Sequence, residues 1–179
     1  MTRKIDFVHT LAYRNCNPLN IRFSKDTNWM GSKLKSSKGF VVFATFGFGY
    51  RAAVMILRSY AKRNVRTIGE IIERWAPRNE NDTEAYINSV LSFMSPRQSE
   101  PFTVDCDTEI DLKNRDLVVQ LLLAMTRVEM GANHAQVAKM RPYAELGYDL
   151  AVTTKKFFGE SKKDSELRSP EHQLERKNK

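Results

Sequence analysis

The chain has 179 residues and a mass of 20.7 kDa, the size of one ordinary domain, and its 41% apolar content is enough to build a core. Its net charge of +8 and pI near 9.6 point toward polyanionic partners. No run approaches the roughly 18 uninterrupted apolar residues of a membrane-spanning helix, and no long apolar stretch follows the basic N-terminus as a secretory signal would require.

The charge is unevenly spread. Residues 1–78 carry 15 Lys and Arg against 4 Asp and Glu, whereas residues 79–159 carry 8 against 12 and residues 160–179 carry 6 against 5. The excess therefore sits in the first half of the folded body, where it attracts nucleic acid, anionic lipid or the carboxylate-bearing polymer of a bacterial wall. Two cysteines, Cys16 and Cys106, make no disulfide framework and share no metal-ligand spacing with each other or with His9, His134 and His172. We expect reduced thiols, no metal and no cofactor; Phe46-Gly47-Phe48-Gly49 lacks the pattern of a nucleotide-binding glycine loop.

In chain order, Leu19–Phe23 alternates and Phe40–Phe43 is a compact apolar run, which predicts two short strands joined by a polar loop. From Tyr50 to Lys62 the period becomes helical. Thr67 and Glu70 form a capping box for a second helix that stops before Pro77. Asn81 or Asp82 caps a third, with Tyr86, Ile87, Val90, Leu91 and Met94 as its buried stripe, and Ser95-Pro96 ends it. Residues 96–110 read as a loop. The fourth helix, Leu117–Val128, is apolar nearly all round, so it belongs in the centre; Asp111 caps it and Gly131 stops it. A last helix covers roughly Pro142–Phe158, and 160–179 form a charged mobile tail. The expected fold is α+β, mainly α: one domain over 1–159, with a small β-hairpin lobe and a buried central helix.

Glu129 follows the most apolar segment of the chain, where a central helix emerges. Desolvation there raises a carboxyl pKa, and a carboxylic acid that keeps its proton is what glycosidic cleavage needs as general acid. Against this stands an exposed Glu129 in a last helical turn, paired with Arg127 or Arg141. Asn15, Asn17 and Asn20 offer amides suited to sugar hydroxyl and acetamido groups, and equally suited to turns. Trp29 can stack on a sugar or fill the core. Trp75 is expected to pack inward. Glu80 and Asp82 stand at a helix start, where capping is their ordinary use.

The ordered motifs Arg14-Asn15-x-Asn17-Pro18-x-Asn20-Ile21-Arg22, Trp29-x-Gly31, Phe40-x-x-Phe43, Gly49-x-Arg51-Ala52, Arg74-Trp75-Ala76-Pro77 and Glu80-Asn81-Asp82-Thr83-x-x-Tyr86 resemble a family of phage and prophage virion structural proteins regarded as muralytic lysins. The family usually has Gly where Leu19 stands, and Asn where Cys16 and Met130 stand; a left-handed backbone at the glycine position would strain a leucine. A more distant similarity, to bacterial glucosaminidases of the lysozyme superfamily, matches Glu129-Met130-Gly131 to a helix-ending catalytic glutamate and glycine. It implies a circularly permuted lysozyme-like domain with the catalytic helix moved to the C-terminal half. These resemblances imply a peptidoglycan-cleaving enzyme, a muramidase, glucosaminidase or lytic transglycosylase. It would be made in a bacterial host's cytoplasm and act on periplasmic glycan strands, with other virion proteins as further partners. Glu129 is then the acid, Asn15, Asn17, Asn20, Trp29 and Tyr86 line the sugar cleft, and Asp26, Glu80 and Asp82 are candidates for a second carboxylate. The competing expectations are a virion structural protein that keeps the fold without activity, a basic nucleic-acid-binding protein, and a cross-link peptidase. The second lacks a recognition-helix motif, and the third a Cys–His or zinc-ligand pattern.

Overall fold

The computed structural model describes residues 7–95 and 104–157, so the tail 160–179 and part of the 96–110 loop lie outside the described residues. The described chain is mainly helical, with one two-stranded antiparallel sheet. A 3-10 turn at Phe7–His9 leads into α1, Leu11–Arg14, started by Thr10, whose hydroxyl accepts from the Tyr13 N–H.

The hairpin pairs β1, Ser32–Ser37, with β2, Phe40–Phe43, in a register that shifts between Ser32 and Ser36. Lys38 and Gly39 join them with φ of 52° and 85°, the positive values a two-residue type I′ turn demands at both positions. The expected first strand, Leu19–Phe23, does not form. Cys16 and Asn20 sit in the left-handed region, at φ 48° and 47°, which breaks an extended path on both sides of Pro18. Asn17, fully buried, takes the place of a strand partner: its Oδ1 accepts from Ile21 N, and its Nδ2 donates to Ile21 O and Val41 O, at 2.9–3.0 Å. The segment still lies beside β2, with Val41 N donating to Ile21 O and Phe23 N to Gly39 O, but only Arg22 bridges to Phe40. The left-handed positions fall on Cys16 and Asn20, so Leu19 is core, without positive φ.

α2, Phe46–Ala61, starts earlier than its apolar stripe suggests because Thr45 caps it, accepting from Phe48 N. Two glycines set its neighbours. A Cβ on Gly49 would stand 2.5 Å from the Cys16 carbonyl oxygen, so the helix rests directly on the 16–18 turn. A Cβ on Gly147 would stand 2.4 Å from Tyr50 Cβ and 2.9 Å from Gly47 O, so α2 and α7, Arg141–Phe157, cross almost backbone to backbone.

α3, Ile68–Trp75, has the expected Thr67–Glu70 capping box, and α4, Thr83–Met94, is capped by Asp82. α5, Arg115–Met130, is capped by Asn114, not Asp111. Asp111 instead accepts from Lys113 N in the preceding turn, a use open to any Asp two residues before a free N–H. Gly131, at φ 58°, ends the helix. A short helix that the apolar pattern does not mark, α6 at His134–Ala138, is set by an Asn133–Gln136 capping box. α5 packs against α1, α2, α4, α6 and α7, and none of Leu121 through Thr126 is more than 2% exposed. Inside the core the Thr126 hydroxyl donates to Leu122 O, so the Tyr50 hydroxyl donates to Thr126 at 2.9 Å and satisfies both buried groups.

Candidate functional site

The last turn of α5 has carbonyls with no helical partner. Asn20 supplies one: its Nδ2 donates to Glu129 O at 3.2 Å and also to Glu129 Oε2 at 2.9 Å. The left-handed backbone at Asn20, unusual outside glycine and most readily adopted by Asn, brings this amide to the helix end. From α4 the Tyr86 hydroxyl donates to Glu129 Oε1 at 3.0 Å, and from the end of α3 the Trp75 indole N–H is a third donor.

Burial is the largest influence on this carboxyl and raises its pKa; the hydrogen bonds from Asn20, Tyr86 and Trp75 favour the anion and offset part of the rise. The negative end of the α5 dipole acts in the same direction as burial. The two arginines considered as partners are engaged elsewhere. Arg127 donates to Ser89 Oγ at 2.8 Å, and Arg141 pairs with Glu145 at 3.5 Å. Glu129 is thus a half-buried carboxyl held by neutral donors, with a raised pKa and an open side.

That side faces a cleft of about 510 Å³. One wall is Asn20–Arg22, Thr27, Trp29 and Phe40; the other is Ile56 and Tyr60 of α2 with Arg74–Pro77, Glu80 and Asn81. Aromatic faces and amide groups around a carboxyl can stack on the flat faces of a ligand and hydrogen-bond its polar groups. At the mouth, Arg22 and Glu80 pair across the walls at 2.6 Å.

The expected site residues separate cleanly. Asn20, Tyr86 and Glu129 are brought into direct contact, and Trp29 lines the cleft. Asn15 and Asn17 do not line it. Asn17 is consumed by the turn, and Asn15, 5% exposed, accepts Phe43 N with its backbone oxygen and places its Nδ2 in the interior. The turn that buries Leu19 needs the Asn17 amide there, whereas the Asn15 Nδ2 is buried without a bond to it. Of the carboxylates, Glu80 lines the cleft, Asp26 is exposed and outside it, and Asp82 caps α4 beside a neighbouring groove. Trp75, expected to pack inward, is half-buried against the core and also lines the cleft, as do Tyr60 and Arg74, which were not singled out. The helical stripe places Trp75 at a helix end, and the Ala76-Pro77 stop that turns the chain over the cleft was the available signal. Among the described residues no three His, Cys, Asp or Glu side chains converge as metal ligands, and no helix is long and apolar enough to cross a membrane.

Fold and site together define a mainly helical α+β domain with a desolvated carboxyl at the foot of an aromatic cleft. No protein-family model matches the chain. Over 83 residues it is 48% identical to Protein P5 of the Pseudoalteromonas phage PM2, a match covering 44% of this chain and 52% of that protein. The chain thus spans about half the length of this curated relative, a phage protein whose name specifies no activity.

Proposed function

We propose that the chain cleaves the glycan strand of peptidoglycan, with Glu129 as the general acid that protonates the leaving glycosidic oxygen. The observation that carries this reading is the Glu129 carboxyl itself: desolvated, raised in pKa, held by Asn20, Tyr86 and Trp75, and open to an aromatic cleft. Asn20, Trp29, Trp75 and Tyr60 would contact sugar rings. The resemblance of the ordered motifs to phage lysins and the likeness to a phage protein support delivery as part of a phage life cycle, with action at the periplasmic wall and other virion proteins as partners. The acid-bearing helix follows the hairpin lobe in the chain, the order a permuted lysozyme-like domain would have.

Glu80 is the one candidate second carboxylate on the cleft wall, and it is ion-paired to Arg22. A base so engaged favours completion of the reaction by the substrate's own acetamido or hydroxyl group over a two-carboxylate hydrolysis. Digestion of purified peptidoglycan, with fragments identified by mass spectrometry, tests the whole reading. Anhydro-muramyl ends mean a transglycosylase and new reducing ends a hydrolase. Free stem peptides, or no release at all, overturn it. Glu129→Gln is expected to lower the rate about 10²–10⁴-fold, the usual contribution of a general acid.

The likeness to a phage protein also favours a second reading, a virion component that keeps the fold without the chemistry. Under it Glu129→Gln changes neither particle assembly nor wall clearing.

A further inference from the structure

A second groove, of about 570 Å³, opens beside the cleft, and Asn81 lines both. Tyr86 stands between them: it borders the second groove while its hydroxyl reaches the Glu129 carboxylate of the first. Arg127 lies on its wall, with Ser89, Asp82 and Gly131. The same face of α4 holds both chemical groups of α5, Tyr86 gripping Glu129 and Ser89 gripping Arg127.

Arg127 is a half-buried cation without an anion. Its Nη1 donates to the neutral Ser89 hydroxyl, its Nε is buried with no acceptor, and no carboxylate lies within ion-pair distance among the described residues. The one acidic group on the groove wall, Asp82, spends Oδ1 on Ala85 N at the start of α4, where the helix dipole also offsets its charge. A guanidinium withdrawn from water and left without a counter-charge is costly, and one that lines an open groove gains most from an incoming carboxylate, which it can grip with two N–H groups.

The geometry points to this groove as the subsite for a carboxylate-bearing substituent of the polymer, the acidic peptide carried by its sugars, with Arg127 as the residue that selects it. The inference rests on the glycan-cleavage reading for the polymer's identity, and it deepens that reading by separating acidic glycans from neutral ones. A strand lying in the cleft past Glu129 runs beside Tyr86 and Asn81 into the groove, so its charged branch meets Arg127.

The test is a calorimetric titration of the full chain, at low salt, with N-acetylmuramoyl dipeptide and with the same molecule amidated at its carboxyl groups. The free acid is expected to bind about tenfold more tightly. Arg127→Gln, which can still donate to Ser89, abolishes the preference, and Arg127→Lys, which keeps the charge without the fork, retains part of it. Equal affinity for the two probes, binding of neither, or a preference that survives Arg127→Gln overturns the proposal. The comparison on the unaltered chain needs no variant to fold. A chain that digests peptidoglycan without preferring the acid loses only this inference. A chain that prefers the acid and digests nothing loses only the proposed activity.

Discussion

Glu129 is subject to two opposed influences, burial raising its pKa and three donors lowering it, and each can be removed separately. Tyr86→Phe or Asn20→Ala deletes a hydrogen bond to the anion, so the pKa rises further. An acid must be protonated to act, so the alkaline limb of the pH–rate profile is expected to move to higher pH in either variant; a limb that moves down or stays would exclude Glu129 as the titrating acid. Stability follows the same sign. A carboxyl whose folded pKa lies above its unfolded value contributes stability below the unfolded value and loses it as pH rises through the folded one. Melting temperatures of the unaltered chain and Glu129→Gln should therefore diverge with rising pH, in favour of the variant. The apolar run before Glu129 and the glycine stop after it signalled a carboxyl at the end of a buried helix, although an exposed last helical turn fitted the same spacing. The asparagines were not separable: an amide that holds a turn, as Asn17 does, and one that holds the Glu129 carboxyl at a cleft, as Asn20 does, are the same letter until the backbone angles are known.

At the scale of elements, helices were legible wherever a cap and a period coincided, as at Thr67–Glu70 and Gly131. The strand at Leu19–Phe23 was misread because alternation reports which side chains are buried, and a turn with left-handed residues can bury alternate positions too. β1 went unseen because Ser32–Ser37 has no alternation; its place is dictated by the Lys38-Gly39 turn. Asn17→Ala would leave Ile21 N and Val41 O without the Asn17 amide and Ile21 O with only the Val41 N–H, and we expect a loss of about 2–4 kcal/mol in urea unfolding. Gly49→Ala forces a methyl against the Cys16 carbonyl and should cost about 1–3 kcal/mol by the same measurement. Under the proposed glycan-cleavage reading, the Asn17 variant should cleave the same bond in peptidoglycan as the unaltered chain for as long as it stays folded, since its side chain is not on the cleft wall.

For the molecule as a whole, the site gathers residues 20, 75, 86 and 129 from four separate segments, three of them converging on the end of the fourth. The global charge is a separate device. With 15 Lys and Arg against 4 Asp and Glu in residues 1–78, retention on intact wall preparations should weaken as salt is raised from about 0.05 to 0.5 M, because exposed charges are screened over about 10 Å at 0.1 M and less above it. Turnover of short neutral chito-oligosaccharides should change far less, and equal loss on both substrates would place the salt effect in the cleft. Composition disclosed this field directly. The cleft itself it could not disclose, since that depends on how far apart in the chain its walls are.

The Arg22–Glu80 pair joins two walls that lie 58 residues apart, and both of its side chains are at least half in water. So exposed a contact is worth about 0–1 kcal/mol. It is a clasp that thermal motion undoes at almost no expense, so under the proposed glycan-cleavage reading a long strand need not thread in from its end and could enter sideways once the pair parts.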